Sequence, residues 1–276
     1  MGTSQRYNSS VKGQPNWGKA SSSISHFGKA VADDKKLEEN KPNLSQRQYE
    51  QQKRKIGNRI NKNYRQAISH TIRAAGGASS VSSGSSKSFG FGGINVIQNF
   101  THAISEIHEQ GFSNWLLNHN YGSLEEKDAD QIKEIIIVYV QDELVALDDT
   151  AANEALEYLM DMLNEKLGSD IEHYDLELNQ IFVKGEMKEL IDHFFAIYIY
   201  SHLSQSIYEK LEKNKGTEFA NDTMNEIKDL ILEDIQGLAK NDSVTSINWG
   251  TEEGENFCKE EFNRIIHIYL DDENNN

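Results

Sequence analysis

One cysteine and two prolines are all that this sequence holds of either residue. A lone Cys258 excludes an internal disulfide framework and any cysteine-rich zinc site, which fits a reducing compartment. Both prolines, Pro15 and Pro42, fall near the start, so nothing beyond them forces a helix to break. Long apolar runs are missing as well. The most apolar stretch, LIDHFFAIYIYSHL from Leu190 to Leu203, is shorter than the roughly 18 residues a membrane-crossing helix needs and contains Asp192, His193 and His202. It reads as a core helix. The N-terminus lacks the apolar core of a signal peptide, which predicts no export and a cytoplasmic protein. Hydrophobic residues make up only 37% of the chain and mean hydropathy is -0.67. These values point to a sizeable unpacked portion.

Catalytic signatures are equally scarce. There is no GxSxG, Walker or HExxH pattern. GSSKS imitates a phosphate loop without the Gly before the Lys or a leading strand, and GFGG imitates a dinucleotide turn no better. His102 and His108 are six apart and face different sides of a helix, while His193 and His202 read as satisfied core histidines. Cys258 has acidic neighbours in ENFCKEEF that would raise its pKa and make it a poor nucleophile. The adjacent pairs Asp148-Asp149 and Asp271-Asp272 decorate helix ends. These absences predict a protein that is not an enzyme and that needs neither cofactor nor metal. A hydrolase site assembled from distant residues of the acidic part is the weaker alternative.

What is present is a division of charge. The net charge is -16, but the first ninety residues hold 16 Lys or Arg against 5 Asp or Glu, and the remainder holds 12 against 39. A basic arm is therefore joined to an acidic body. Such asymmetry suggests contact with nucleic acid or with a partner. The body's field would repel a phosphate backbone, and the arm could instead lie on that acidic surface, its own or a neighbour's.

The arm divides further. Residues 1–45 are rich in Ser, Asn, Gly and Lys and poor in aliphatics, which predicts a flexible tail with Tyr7, Trp17 and Phe27 as candidate anchors. Residues 46–75 place Tyr49, Ile56, Ile60, Tyr64, Ile68 and Ile72 mostly four apart, which predicts one basic amphipathic helix. Ser45 stands as its N-cap and Gly76-Gly77 as its stop. If the arm binds nucleic acid, the contacts are Arg47, Lys53, Arg54, Lys55, Arg59, Lys62, Arg65 and Arg73. Residues 76–93, GGASSVSSGSSKSFGFGG, read as a flexible Gly/Ser linker. Residues 94–276 repeat apolar residues every three to four positions, including the β-looking run IIIVYV. They predict an acidic all-α domain of six or seven helices, bundle-like in architecture.

The opening MGTSQRY, the basic helix ending in RQAISHTIRAAGGASS, the small-residue stretch into GGINVIQNF and the late SINWGTEEGENFCKEEFNRIIHIYL together resemble the QatB component of the bacterial Qat anti-phage defence system. The resemblance spans most of the chain; MGTS is its sharpest motif. It implies neighbours in place of a reaction: an ATPase (QatA), a QueC-like enzyme (QatC) and a TatD-like nuclease (QatD); the lack of a long apolar run independently predicts no membrane contact. QueC-type enzymes use ATP to activate the carboxylate of a 7-deazaguanine precursor for attack by an amine. The resemblance implies that this amine is the one on Gly2, with Thr3, Ser4, Gln5, Arg6 and Tyr7 recognised by the QueC-like partner.

The residues give that implication a chemical basis. Met1 is readily removed before a side chain as small as that of Gly2, and Arg6 stands where a myristoylation signal wants Ser or Thr. The exposed α-amine, with a pKa of about 7.7 to 8.0, is roughly a tenth neutral at pH 7, against well under a thousandth for a lysine near 10.4. Only the neutral amine attacks an acyl group. A frayed polar terminus is the plain alternative.

Overall fold

The computed structural model describes residues 15–86, 89–142, 150–238 and 247–271. Among them there are helices and turns and no strand, so the fold is all-α.

Two long helices form an N-terminal hairpin. α1 (Pro15–Asn40) begins on a proline, whose fixed φ suits a first helical turn. A 3-10 turn at Lys41–Asn43 leads into α2 (Gln46–Ala74). Ser45 is the expected N-cap: its Oγ accepts from the Gln48 amide at 3.4 Å, and the Gln48 side chain accepts from the Ser45 amide at 3.1 Å. Gly76 and Gly77 end α2 at φ 112° and 85°, a backbone region that L side chains avoid.

The order in α1 departs from the flexible tail expected over 1–45. Ala20, Ile24, Phe27, Ala30, Val31 and Leu37 are all buried, at successive spacings of four, three, three, one and six. Small residues let α1 approach α2 closely, so a stripe with few large side chains still buries enough surface to hold a helix. Residues 1–14 lie outside the described residues, as does the side chain of Trp17.

The Gly/Ser segment also departs from expectation. It is a packed crossing and not a free hinge. α3 (Ala78–Ser82) inserts Val81 at 0% exposure, and the buried Ser86 hydroxyl donates to the Ala75 carbonyl at 2.8 Å. Phe89 stacks on Tyr198, with centroids 5.6 Å apart. The amide of Gly90, at φ 109°, donates to the Tyr198 hydroxyl at 2.8 Å. A Cβ on Gly90 would fall 2.1 Å from the Val81 carbonyl oxygen, and one on Gly93 would fall 2.5 Å from the Tyr198 ring. The glycines are there for close approach.

The body follows: α4 (Phe91–Gln110), α5 (Phe112–Asn118), α6 (Ala129–Asp142), α7 (Thr150–Leu167), α8 (Tyr174–Val183), α9 (Met187–Lys215), α10 (Thr217–Leu238) and α11 (Glu252–Asp271). Among the described residues these are eight where six or seven were expected; α5 and α8 are too short for periodicity to announce. IIIVYV lies inside α6, as read, while Leu144 and Leu147 fall outside the described residues. α9 is the axis: Leu190, Ile191, Phe194, Phe195, Ala196 and Tyr198 have no exposure. It packs on α7 and α10 and also meets α1, α2, α4 and α11. The hairpin and the body thus share one apolar cluster.

Candidate functional site

The α1–α2 hairpin carries or adjoins both sets of residues nominated from the sequence. Gly2, Thr3, Ser4, Gln5, Arg6 and Tyr7 lie outside the described residues. The structure does place the helix into which they lead. Ser23 Oγ of α1 lies 3.0 Å from His70 Nδ1 of α2. Phe27 is 1% exposed, and a Cβ on Gly28 would stand 3.0 Å from the Leu211 side chain of α9. Lys35 pairs with Asp222 of α10. α1 is therefore seated on three other helices. From Pro15, covalent geometry lets residue 2 lie at most about 45 Å away.

The eight cations nominated for nucleic acid divide into groups. Arg47, Arg54, Lys55 and Lys62 are exposed. Lys53 pairs with Asp34 at 2.8 Å and Glu38 at 2.7 Å, and Arg59 pairs with Asp33 at 3.1 Å. Arg65 pairs with Asp234 of α10, which also accepts from the Tyr64 hydroxyl. Arg73 is half-buried. Burial works against the Lys53 ammonium, but hydrogen bonds to Asp34 and Glu38 outweigh it and raise the pKa above the ordinary lysine value. Glu38 is lowered in turn by hydrogen bonds from Lys53 and Tyr49. Burial, and then Asp234, push the Tyr64 phenol up. Arg65, like Lys35, thus rests on an acid of the body, one of the alternatives the charge pattern allowed, whereas Lys53 and Arg59 pair with acids of the arm itself.

A second polar cluster was not foreseen. Lys188 and Asp192 of α9 meet Glu261 and Arg264 of α11 in the interior, with Lys188 4%, Asp192 1% and Glu261 5% exposed. Lys188 Nζ lies 2.7 Å from Asp192 Oδ2 and 3.1 Å from Glu261 Oε1. Arg264 donates to both oxygens of Glu261, with Nε 2.9 Å from Oε2, and its Nη2 stands 3.9 Å from Asp192. Burial raises Asp192, and the Glu261 carboxyl beside it raises it further. Burial also works to raise Glu261, but Arg264 and Lys188 more than offset this and hold it low. The pairs Lys188/Asp192 and Glu261/Arg264 have intrahelical spacings of four and three. That spacing was visible in the sequence; their meeting across two helices was not.

Of the remaining nominations, Asp148, Asp149 and Asp272 lie outside the described residues, whereas the side chains that follow make contacts within the fold. His193 Nδ1 lies 2.8 Å from the Glu189 carbonyl, and His202 packs edge-on to Phe89 and Tyr198, each at 4.7 Å. His108 stacks on Phe182 at 4.0 Å. Cys258 is wholly buried, and burial pushes its thiol up to about 12, which leaves no thiolate near neutrality. Among the described residues no group of His, Cys, Asp and Glu is arranged to hold a metal ion, and no helix is long and apolar enough to cross a membrane.

Compared with models of known families, residues 76–269 match the one described as Qat anti-phage system associated protein QatB. Neither curated proteins nor solved structures gave a match.

Proposed function

The chain belongs to the QatB family and hence to an anti-phage defence system, and from that membership we propose that it is a non-enzymatic component whose Gly2 amine accepts a 7-deazaguanine acyl group from a QueC-like partner. In this reading the base's carboxylate attacks the α-phosphate of ATP on the partner, which forms the acyl-adenylate and releases pyrophosphate. The neutral Gly2 nitrogen then attacks the acyl carbon. An amide C–N bond forms, the C–O bond to the phosphate breaks, AMP leaves with the electron pair, and the amine loses its extra proton to solvent.

The observation that carries this reading is membership in the QatB family, joined to Gly2 following Met1 in the sequence. The supporting chemistry is selectivity. The α-amine competes with the chain's lysines through its lower pKa, and the missing side chain lets it enter a narrow acyl-adenylate site. Thr3, Ser4, Gln5, Arg6 and Tyr7 supply polar groups and one aromatic ring for capture as an extended peptide. The α1–α2 hairpin holds the helix that these residues precede.

Intact-protein mass after coexpression with the QueC-like enzyme of the same system tests the proposal. The expected product lacks Met1 and is heavier by one deazaguanine acyl group, and Gly2→Leu, which keeps Met1, abolishes the gain. A natural chain recovered with its Gly2 amine free contradicts it.

A further inference from the structure

Two exposed features of the molecule have complementary chemistry, and neither is used by the reading above. The first is an open cleft of about 700 Å³ between α1 and α2, towards the tip of the hairpin. Its floor is apolar: Leu37 and Ile56 are 4% and 7% exposed. Its rim is basic, formed by Lys36, Lys55 and Arg59 with Asp33 as the single carboxylate. Arg59 is engaged by Asp33, whereas Lys36 and Lys55 are exposed and have no ion pair among the described residues. Among the described residues no aromatic ring lines the cleft, which argues against single-stranded nucleic acid, whose bases need stacking platforms. A duplex backbone would make no use of the apolar floor. A basic rim over aliphatic side chains fits an acidic helix that presents aliphatic residues.

The body of this chain presents such a helix. α8 leaves Leu176 53% and Val183 64% exposed, the two most exposed large hydrophobic residues among those described apart from Leu117 at 54%. They are seven apart, two turns, and so share one face. Glu172 and Asp175, both exposed, lie within four residues of Leu176, Asp175 with one carboxylate oxygen accepting from the Phe112 amide at 2.8 Å. α8 packs on α4 and α7 and has no substantial contact with the hairpin of its own chain. The hairpin already engages acidic body surface by the same chemistry within the chain, through Lys35 with Asp222 and Arg65 with Asp234.

We propose that copies of this protein associate head to tail, with the α1–α2 cleft of one taking the Leu176/Val183 face of α8 from the next. Lys36 and Lys55 then meet Glu172 and Asp175, while Leu37 and Ile56 lie under the two aliphatic side chains. Each copy keeps one free cleft and one free α8, so the contact is heterologous: it propagates until a ring closes or continues as a filament. Charged rims make it sensitive to salt.

Sedimentation velocity on the full chain tests this. The natural protein is expected to form species larger than a dimer in dilute buffer, reverting toward monomer in about 1 M salt. The double variants Lys36→Glu/Lys55→Glu and Leu176→Asp/Val183→Asp are each expected to be monomeric with unchanged helical circular dichroism. Mixed, they are expected to form a one-to-one dimer and nothing larger, because only the cleft of the second and the α8 of the first remain. A natural chain that stays monomeric at about 100 µM, well above a micromolar Kd, overturns the proposal. So does continued assembly by either variant alone, or the absence of a mixed dimer.

Discussion

Asp192 shows how much depends on a single proton. Its carboxyl lies in the interior beside Glu261, and both burial and that neighbour favour the protonated form in the fold. A raised carboxyl contributes stability that is present below the unfolded value of about 3.9 and lost as pH rises through the higher folded value. Glu261 has the opposite sign: held low by Arg264 and Lys188, it contributes above about 4.3 and is lost in acid. Asn at position 192 does not titrate. The stability of Asp192→Asn relative to the natural chain is therefore expected to improve as pH rises from about 5 to about 8, read from urea unfolding at the two values. A difference that stays constant, or moves the other way, contradicts the assignment of a proton to this group. Gly90 sets a limit that pH does not relax. Alanine there combines a φ of 109° with a Cβ 2.1 Å from the Val81 carbonyl oxygen. Gly90→Ala is expected to cost about 3 kcal/mol or more, measured by denaturant melts.

At the scale of elements, α1 decides whether the N-terminal segment is held or loose. Phe27→Ala removes a fully enclosed ring from the shared apolar cluster and is expected to destabilise the chain by about 3 to 5 kcal/mol. A loss below about 1 kcal/mol in equilibrium unfolding would mean that the helix is not part of the cooperative fold. The same helix marks the border of what the sequence discloses. α2 was legible because Ser45, a stripe of isoleucines and Gly76-Gly77 agree on start, face and stop. The body helices from α9 onward were legible for the same reason, large aliphatics at helical spacing. α1 was obscured because its inward face is built from Ala20, Ser23 and Ala30 as much as from Ile24 and Phe27. Composition counts such residues as loop, although their spacing is helical. Residues 76–93 were obscured likewise: serines and glycines that read as slack are there to admit Tyr198 and Val81 at close range. The meeting of Lys188 and Asp192 with Glu261 and Arg264 depends on how α11 docks on α9, which no local pattern encodes. The nominated N-terminal residues came from residue chemistry and a family resemblance, and the described structure supplies only the helix that they precede.

For the whole molecule, the separation of charge organises the account. An arm with a surplus of cations sits on a strongly acidic body, held by Arg65 to Asp234 and Lys35 to Asp222, while much of the arm's remaining charge points outward. Exposed pairs of this kind contribute little each, and the shared apolar cluster does most of the holding. The proposed division of labour follows: helices anchor, and the segment ahead of α1 delivers an amine to a partner. The most direct measurement is the chemical state of residue 2, read by tandem mass spectrometry of the N-terminal peptide from protein purified with its whole defence system. The account predicts a peptide that begins at Gly2 and carries a deazaguanine acyl group on its α-nitrogen. A Gly2 amine that is free in every molecule, from cells that still resist phage, would contradict it.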